Sequence, residues 1–233
     1  LIVGAVCYAA RSLLIAPLAM ATAIIPLCLI GFEIVQLAAG FSPLRYGGLA
    51  IQIASLFLLA RARPAFGVFA LFAALAVSLV WNKEYGIIGC VGQVLALLSM
   101  WRSWSMPLRI ALAVVAAATA IALYAGLGIF SRGYVETIQV GIFGIATPMI
   151  DPATFLSLAT SVAIGCGLLF WMANRHSGRE GIARQCLIPV LGLLLMKYVY
   201  YAAPVHLWFT LVLLAPMLLV FADWQSRLPL PVW

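Results

Sequence analysis

Apolar residues run along this chain in blocks of roughly 15 to 25 positions, divided by short breaks that carry charge, proline or glycine. Blocks of that length are what a helix needs to cross the hydrocarbon core of a bilayer. The breaks set the spans at approximately Leu13–Ala39, Gly47–Ala60, Phe66–Trp81, Ile87–Trp101, Leu108–Phe130, Ala153–Met172, Cys186–Ala203 and Val205–Ala222. The pattern therefore predicts an all-α, polytopic membrane helix bundle of about eight transmembrane helices. One apolar segment, Thr137–Ile150, is too short to cross alone and ends at Pro148, Asp151 and Pro152. It is expected to be re-entrant or interfacial. The opening run, Leu1 to Ala10, is about half a span with no basic region before it, and reads as the tail of a helix whose start lies upstream.

Composition agrees with the pattern. Of the 233 residues, 66% are hydrophobic and 8% charged, where a soluble domain carries roughly 25% charged residues to solvate its surface. The whole chain reads as a single transmembrane domain, with no room for a second, soluble one. The net charge of +7 is distributed by topology. Alternate connections hold Arg11; Arg61 and Arg63; Arg102 and Arg109; Arg175, Arg179 and Arg184; and Arg227, while the opposite set holds only Arg45, Lys83 and Arg132. The positive-inside rule assigns the first set to the cytoplasm, and the partition works only if Thr137–Ile150 does not cross. Membrane topology thus accounts for the basic excess, and nucleic-acid binding is not required. The five cysteines, Cys7, Cys28, Cys90, Cys166 and Cys186, show no paired spacing and read as small buried hydrophobes, so no metal is expected.

Ionisable groups at membrane depth are costly, and they are the first places to look for chemistry. With the orientation above, the outer side collects Glu33, Arg45, Lys83, Glu84, Arg132, Glu136, Asp151, Lys197 and His206. That grouping predicts a polar cavity opening at the outer leaflet. Each member also has a plainer reading. Glu33 can snorkel or pair with Arg45, and Lys83 and Glu84 lie in a short turn, NKEYG, where charge serves solvation. Asp151 before Pro152 suits a helix N-cap, and Tyr198, Tyr200 and Tyr201 beside Lys197 suit an interfacial aromatic belt. His206 opens the last span after Pro204 and is placed to act as a base or to sit at the interface; His176 belongs to the basic loop, where solvation explains it. No GxSxG elbow, HExxH or Walker A motif occurs.

Three stretches resemble a known family. WNKEYGIIGCVGQVLALLSMW, Trp81 to Trp101, is similar to the Tyr-Gly span of the TraX family of F-pilin acetyltransferases, with Tyr85, Gly86 and Gly89 as the matching residues. KYVYYAAPVHLWFTLVLL, Lys197 to Leu214, resembles that family's closing signature through Lys197, Tyr200, Tyr201, Pro204, His206 and Leu207. RYGGLAIQIASLF is similar to a small-residue helix of the same family. The family opens on a helix bearing an Asp-His pair, which this sequence does not contain. The resemblance implies transfer of an acetyl group from cytoplasmic acetyl-CoA to an acceptor at the outer face of a bacterial inner membrane. The acceptor would be a pilin N-terminal amine or, as in related transmembrane acyltransferases, a glycan hydroxyl. On that reading Arg61, Arg63, Arg102 and Arg109 hold the cofactor's phosphates. His206 takes the proton, Lys197 or Tyr201 donates to the developing oxyanion, and Glu33, Glu84 and Tyr85 meet the acceptor.

Two other classes fit the same pattern. A lipid-linked sugar transferase would use Glu33, Glu84, Glu136 and Asp151. A non-enzymatic transporter or scaffold subunit would use small-residue helices such as Ala111–Gly128 for close packing.

Overall fold

The computed structural model describes residues 2–10, 15–30, 47–126, 128, 132–133, 136, 152–201 and 214–222. Among them every regular element is helical. In chain order these are α1 (Ile2–Ala10), α2 (Ala16–Ile30), α3 (Gly47–Arg61), α4 (Pro64–Trp81), α5 (Lys83–Met100), α6 (Met106–Ile121), α7 (Pro152–Ala173) and α8 (Gly178–Tyr201). A 3-10 turn, Trp101–Ser103, follows α5, and a π turn, Ala122–Gly126, extends α6. Residues 214–218 are helical and run into a last 3-10 turn, Leu219–Phe221.

Among the described residues four helical stretches are long and apolar enough to cross a membrane: Pro64–Trp81, Tyr85–Ser103, Met106–Ala125 and Ala153–Ala173. Their outward residues are large and apolar, with Phe69, Leu98, Ile121 and Leu156 each 65–67% exposed. Water would penalise such a surface by roughly 25 cal/mol per Å², whereas lipid does not. These features mark an integral membrane protein.

α3 is the hub. Its two faces pack against α4 and α5, its flanks against α1 and α8, and α8 in turn pairs with α7 and α5. The core is built from Leu49, Ile53, Leu56 and Phe57 of α3 with Leu71, Ala96, Met100, Leu187, Leu191 and Leu194. α3 has only 15 residues, so it rises roughly 22 Å against a hydrocarbon thickness of about 30 Å. It stands among longer helices.

α5 comes close to its neighbours because its inward stripe is glycine. A Cβ at Gly86 would lie 2.8 Å from the Ser78 carbonyl oxygen, and one at Gly92 would lie 2.8 Å from the Cys186 carbonyl oxygen. The first contact joins α5 to the end of α4, the second to α8. Any larger residue would have to push backbone apart, which is how small residues drive helix packing in lipid.

Element boundaries differ from the sequence expectation in two places. The NKEYG turn is reduced to Asn82 alone, and Lys83 and Glu84 are in the first turn of α5. Asn82 Oδ1 accepts the Tyr85 backbone N–H at 3.2 Å, so the break is an N-cap and not a five-residue loop. The other difference is at α8, which starts at Gly178 and not near Cys186. Gly178 adopts φ +67°, which a glycine reaches without strain and which turns the chain back after α7. The segments Leu13–Ala39 and Val205–Ala222 are described only over 15–30 and 214–222, and Thr137–Ile150 lies outside the described residues.

Candidate functional site

Short connections make α3, α4 and α5 antiparallel neighbours, and α8 runs against α3. This brings the C-terminal ends of α1, α3, α5 and α7 and the N-terminal ends of α4, α6 and α8 to one end of the bundle. Arg61, Arg63, Arg102, Arg109, Arg175, Arg179 and Arg184 therefore share that end.

At its centre is a charge cluster that ties distant segments together. Glu180 receives Arg61 Nε at 2.9 Å on one carboxylate oxygen and Arg184 Nη1 at 3.3 Å on the other. Arg61 also donates to the carbonyls of Tyr8 and Ala9, at the C-terminal end of α1. Those carbonyls have no partner within the helix and carry its negative dipole end, so a guanidinium is the fitting cap. Arg184 is almost fully buried and donates through Nε to the Val220 carbonyl at 2.9 Å. Phe57 lies between the two cations, 5.4 Å from the Arg61 and 5.6 Å from the Arg184 guanidinium carbon. His176, expected to be solvated, instead places Nε2 3.4 Å from the Phe221 carbonyl. Arg61, expected to hold a cofactor phosphate, has its guanidinium engaged by Glu180 and the α1 carbonyls.

The connection from α5 to α6 is different. Arg102 and Arg63 are exposed. Arg109 donates through Nη2 to the Arg102 carbonyl at 3.1 Å, and its guanidinium carbon is 5.9 Å from the centre of the Trp101 ring. Its Nε is buried and has no acceptor. Ser105, at the N-cap of α6, makes no side-chain capping bond. Arg175, at the end of α7, stacks 3.7 Å over the Trp171 ring.

A second polar group lies inside the bundle, between α3 and α5. Gln52 Nε2 donates to the Gly86 carbonyl at 3.0 Å, and Ser55 Oγ donates to the Gln52 carbonyl at 2.7 Å. Gln93 Nε2 donates to Ser55 Oγ at 3.2 Å. Gln52 and Gln93 are each 1% exposed. Ser78 Oγ lies 2.7 Å from the Gly48 and 2.6 Å from the Ala74 carbonyl, which joins α4 to the start of α3.

The remaining expected residues are distributed as follows. Tyr85 is buried at 3%, packed into the core. Lys83 and Glu84 are on α5 and Lys197 and Tyr201 on α8, at the end opposite the arginines; their side chains are outside the described set. Glu33, Arg45, Asp151 and His206 lie outside the described residues. Arg132 and Glu136 pair with each other at 2.8 Å, an exposed i,i+4 contact worth little. Cys7, Cys90, Cys166 and Cys186 are free thiols, and among the described residues no cluster of His, Cys, Asp or Glu could hold a metal.

Sequence reasoning missed the interior amides and the Glu180–Arg184 pair. Gln52 and Gln93 had a visible signal, being polar residues inside otherwise apolar blocks. Glu180 and Arg184 had one too, their i,i+4 spacing, whereas the bond from Glu180 to Arg61, 119 residues away, had none. Comparison with protein-family models, curated proteins and solved structures gives no match.

Proposed function

We propose that this chain is a membrane-embedded acetyltransferase that takes acetyl-CoA at its basic end and delivers the acetyl group to an amine or hydroxyl at the opposite face. The observation that carries the reading is the buried Nε of Arg109, without an acceptor among the described residues, on a guanidinium that meets the backbone of the exposed Arg102. A charged donor without an acceptor is unfavourable, and a phosphate oxygen is the group that satisfies it best. Trp101 next to it offers an aromatic face to a purine. Arg61 is not part of this ligand site; it anchors α1 and α8. CoA carries too much charge to cross lipid, so its entry from the basic, cytoplasmic side fits the positive-inside arrangement. His206, Lys197 and Tyr201 supply proton transfer and oxyanion stabilisation, by resemblance to the TraX family.

The test is transfer from radiolabelled acetyl-CoA by proteoliposomes of the protein, with pilin peptide and glycan acceptors supplied separately. Wild type transfers label and His206→Ala does not; equal transfer by both removes His206 from the mechanism. Acetyl-CoA binding weakens at least about tenfold in Arg109→Gln, the loss of one charge-assisted contact. Wild-type protein that neither binds acetyl-CoA nor transfers acetyl overturns the reading.

A second reading is a non-enzymatic subunit of a membrane complex. It is favoured by α7, whose spanning window is 0% buried while Ala153, Ser157, Ser161 and Gly165 repeat at four-residue spacing along it.

A further inference from the structure

Within the α3–α5 interface, two carboxamide oxygens, Gln52 Oε1 and Gln93 Oε1, are buried and accept no hydrogen bond. The nitrogens of both amides are committed, Gln52 to the Gly86 carbonyl and Gln93 to Ser55 Oγ. Turning either amide over does not help. Gln52 would then set oxygen against the Gly86 carbonyl oxygen, and Gln93 would leave two N–H donors unmet in place of one acceptor. Ser55 cannot serve either, since its proton goes to the Gln52 carbonyl at 2.7 Å. An unsatisfied acceptor in this environment costs about 1–3 kcal/mol, so two in one interface call for a donor.

We infer that a single bound water molecule sits between α3 and α5 and donates to Gln52 Oε1 and Gln93 Oε1. Gln52 Oε1 lies where a Cβ of residue 89 would be, 1.5 Å from that position. Gln93 Nε2 reaches Ser55 Oγ at 3.2 Å and Ser55 Oγ reaches the Gln52 carbonyl at 2.7 Å, so Ser55 joins the two glutamines across the interface. A neutral donor fits better than a cation. α3 and α4 contain no carboxylate, and α5 and α8 have one each, Glu84 and Glu180, in their first turns. The neighbouring core positions Leu49, Ile53, Leu56, Ile88 and Ala96 are apolar and buried. An unneutralised ion there would be far costlier than a water with its protons both used.

The experiment is water-to-side-chain magnetisation transfer by NMR on full-length protein in nanodiscs, with glutamine side-chain amides labelled. The wild type shows water cross-peaks at both Gln52 and Gln93. In Gln52→Met the Gln93 cross-peak falls at least about fivefold, because one shared molecule has lost an anchor. No cross-peak at either amide in the wild type overturns the inference without any variant being needed. A Gln93 signal that persists in Gln52→Met overturns the shared site. Melting in sodium, potassium and choline chloride discriminates the ion: an unchanged midpoint supports water, and a midpoint raised only by the alkali ions overturns it.

Discussion

Replacing Glu180 by glutamine tests whether the charge cluster holds the bundle together. Glutamine keeps the size and one acceptor oxygen but removes the carboxylate that Arg61 and Arg184 share. At the observed separations of 2.9 and 3.3 Å, each contact has a gross attraction of about 5 kcal/mol at an effective dielectric of 20. Most of that is offset by the desolvation of the three ions. What the variant loses is the neutralisation of two guanidiniums whose side chains are 13% and 5% exposed. Stripping a buried charge of its partner costs about 3–5 kcal/mol, and the 22% exposure of the Glu180 side chain brings the expectation to about 2–4 kcal/mol. The loss should not be uniform. Arg61 and Arg184 also cap α1 and the turn at 219–221, so those two segments loosen first. Unfolding in mixed micelles gives the total, and hydrogen exchange at Val6–Ala10 and Leu219–Phe221 gives its location. A change under about 0.5 kcal/mol, or exchange spread evenly over all helices, would refute the view that this cluster is a central tie. The double variant Glu180→Gln with Arg184→Met should recover part of the loss, because one orphaned cation is gone.

Three further outcomes follow from the packing and the basic end. Gly89→Ala displaces the Gln52 side chain, breaks its bond to the Gly86 carbonyl and destabilises by about 1–3 kcal/mol in a chemical unfolding titration; unchanged stability would mean that the two helices separate freely. Phe57→Leu removes the ring between Arg61 and Arg184 and lowers stability by about 1–3 kcal/mol through lost packing and cation–π attraction, whereas a neutral result in the same titration would assign the ring no energetic part. Arg102→Gln weakens acetyl-CoA binding in a salt-sensitive way while leaving unfolding within about 0.5 kcal/mol of wild type, since the side chain is exposed.

The spans bounded by proline were legible to within two residues. Phe66–Trp81 became Pro64–Trp81, and Ala153–Met172 became Pro152–Ala173, because a proline at the helix start leaves little choice of boundary. Boundaries read from charge were worse. Lys83 and Glu84 were assigned to a turn, but charged residues suit the first turn of a helix as well as a loop, and a single capping Asn82 suffices to separate two helices. Likewise, Arg175, Arg179 and Arg184 were assigned to one connection, yet Arg179 and Arg184 lie in the opening turns of α8. Glu180 and Arg184 pair at i,i+4 spacing within that helix, while their bonds to Arg61 and to the Val220 carbonyl are made in three dimensions and have no local pattern. The same holds for the site. The alternation of basic breaks put Arg61 and Arg184 in one set, but no local pattern says that both bind Glu180 and the backbone carbonyls of distant segments. Gly86 and Gly89, noted for resemblance, owe their identity to close approach by Ser78, Leu79 and Gln52.

The single residue between α4 and α5 also constrains how the protein is made. Asn82 leaves no loop long enough to wait in water while its two flanking helices enter lipid separately. At synthesis rates of roughly 5–20 residues per second, α4 is complete for about one to four seconds before α5 exists. During that interval the end of α4 has no α5 backbone to pack against, although Gly48 of α3 already offers Ser78 an acceptor. The pair then enters the bilayer as one helical hairpin with Lys83 and Glu84 at its tip.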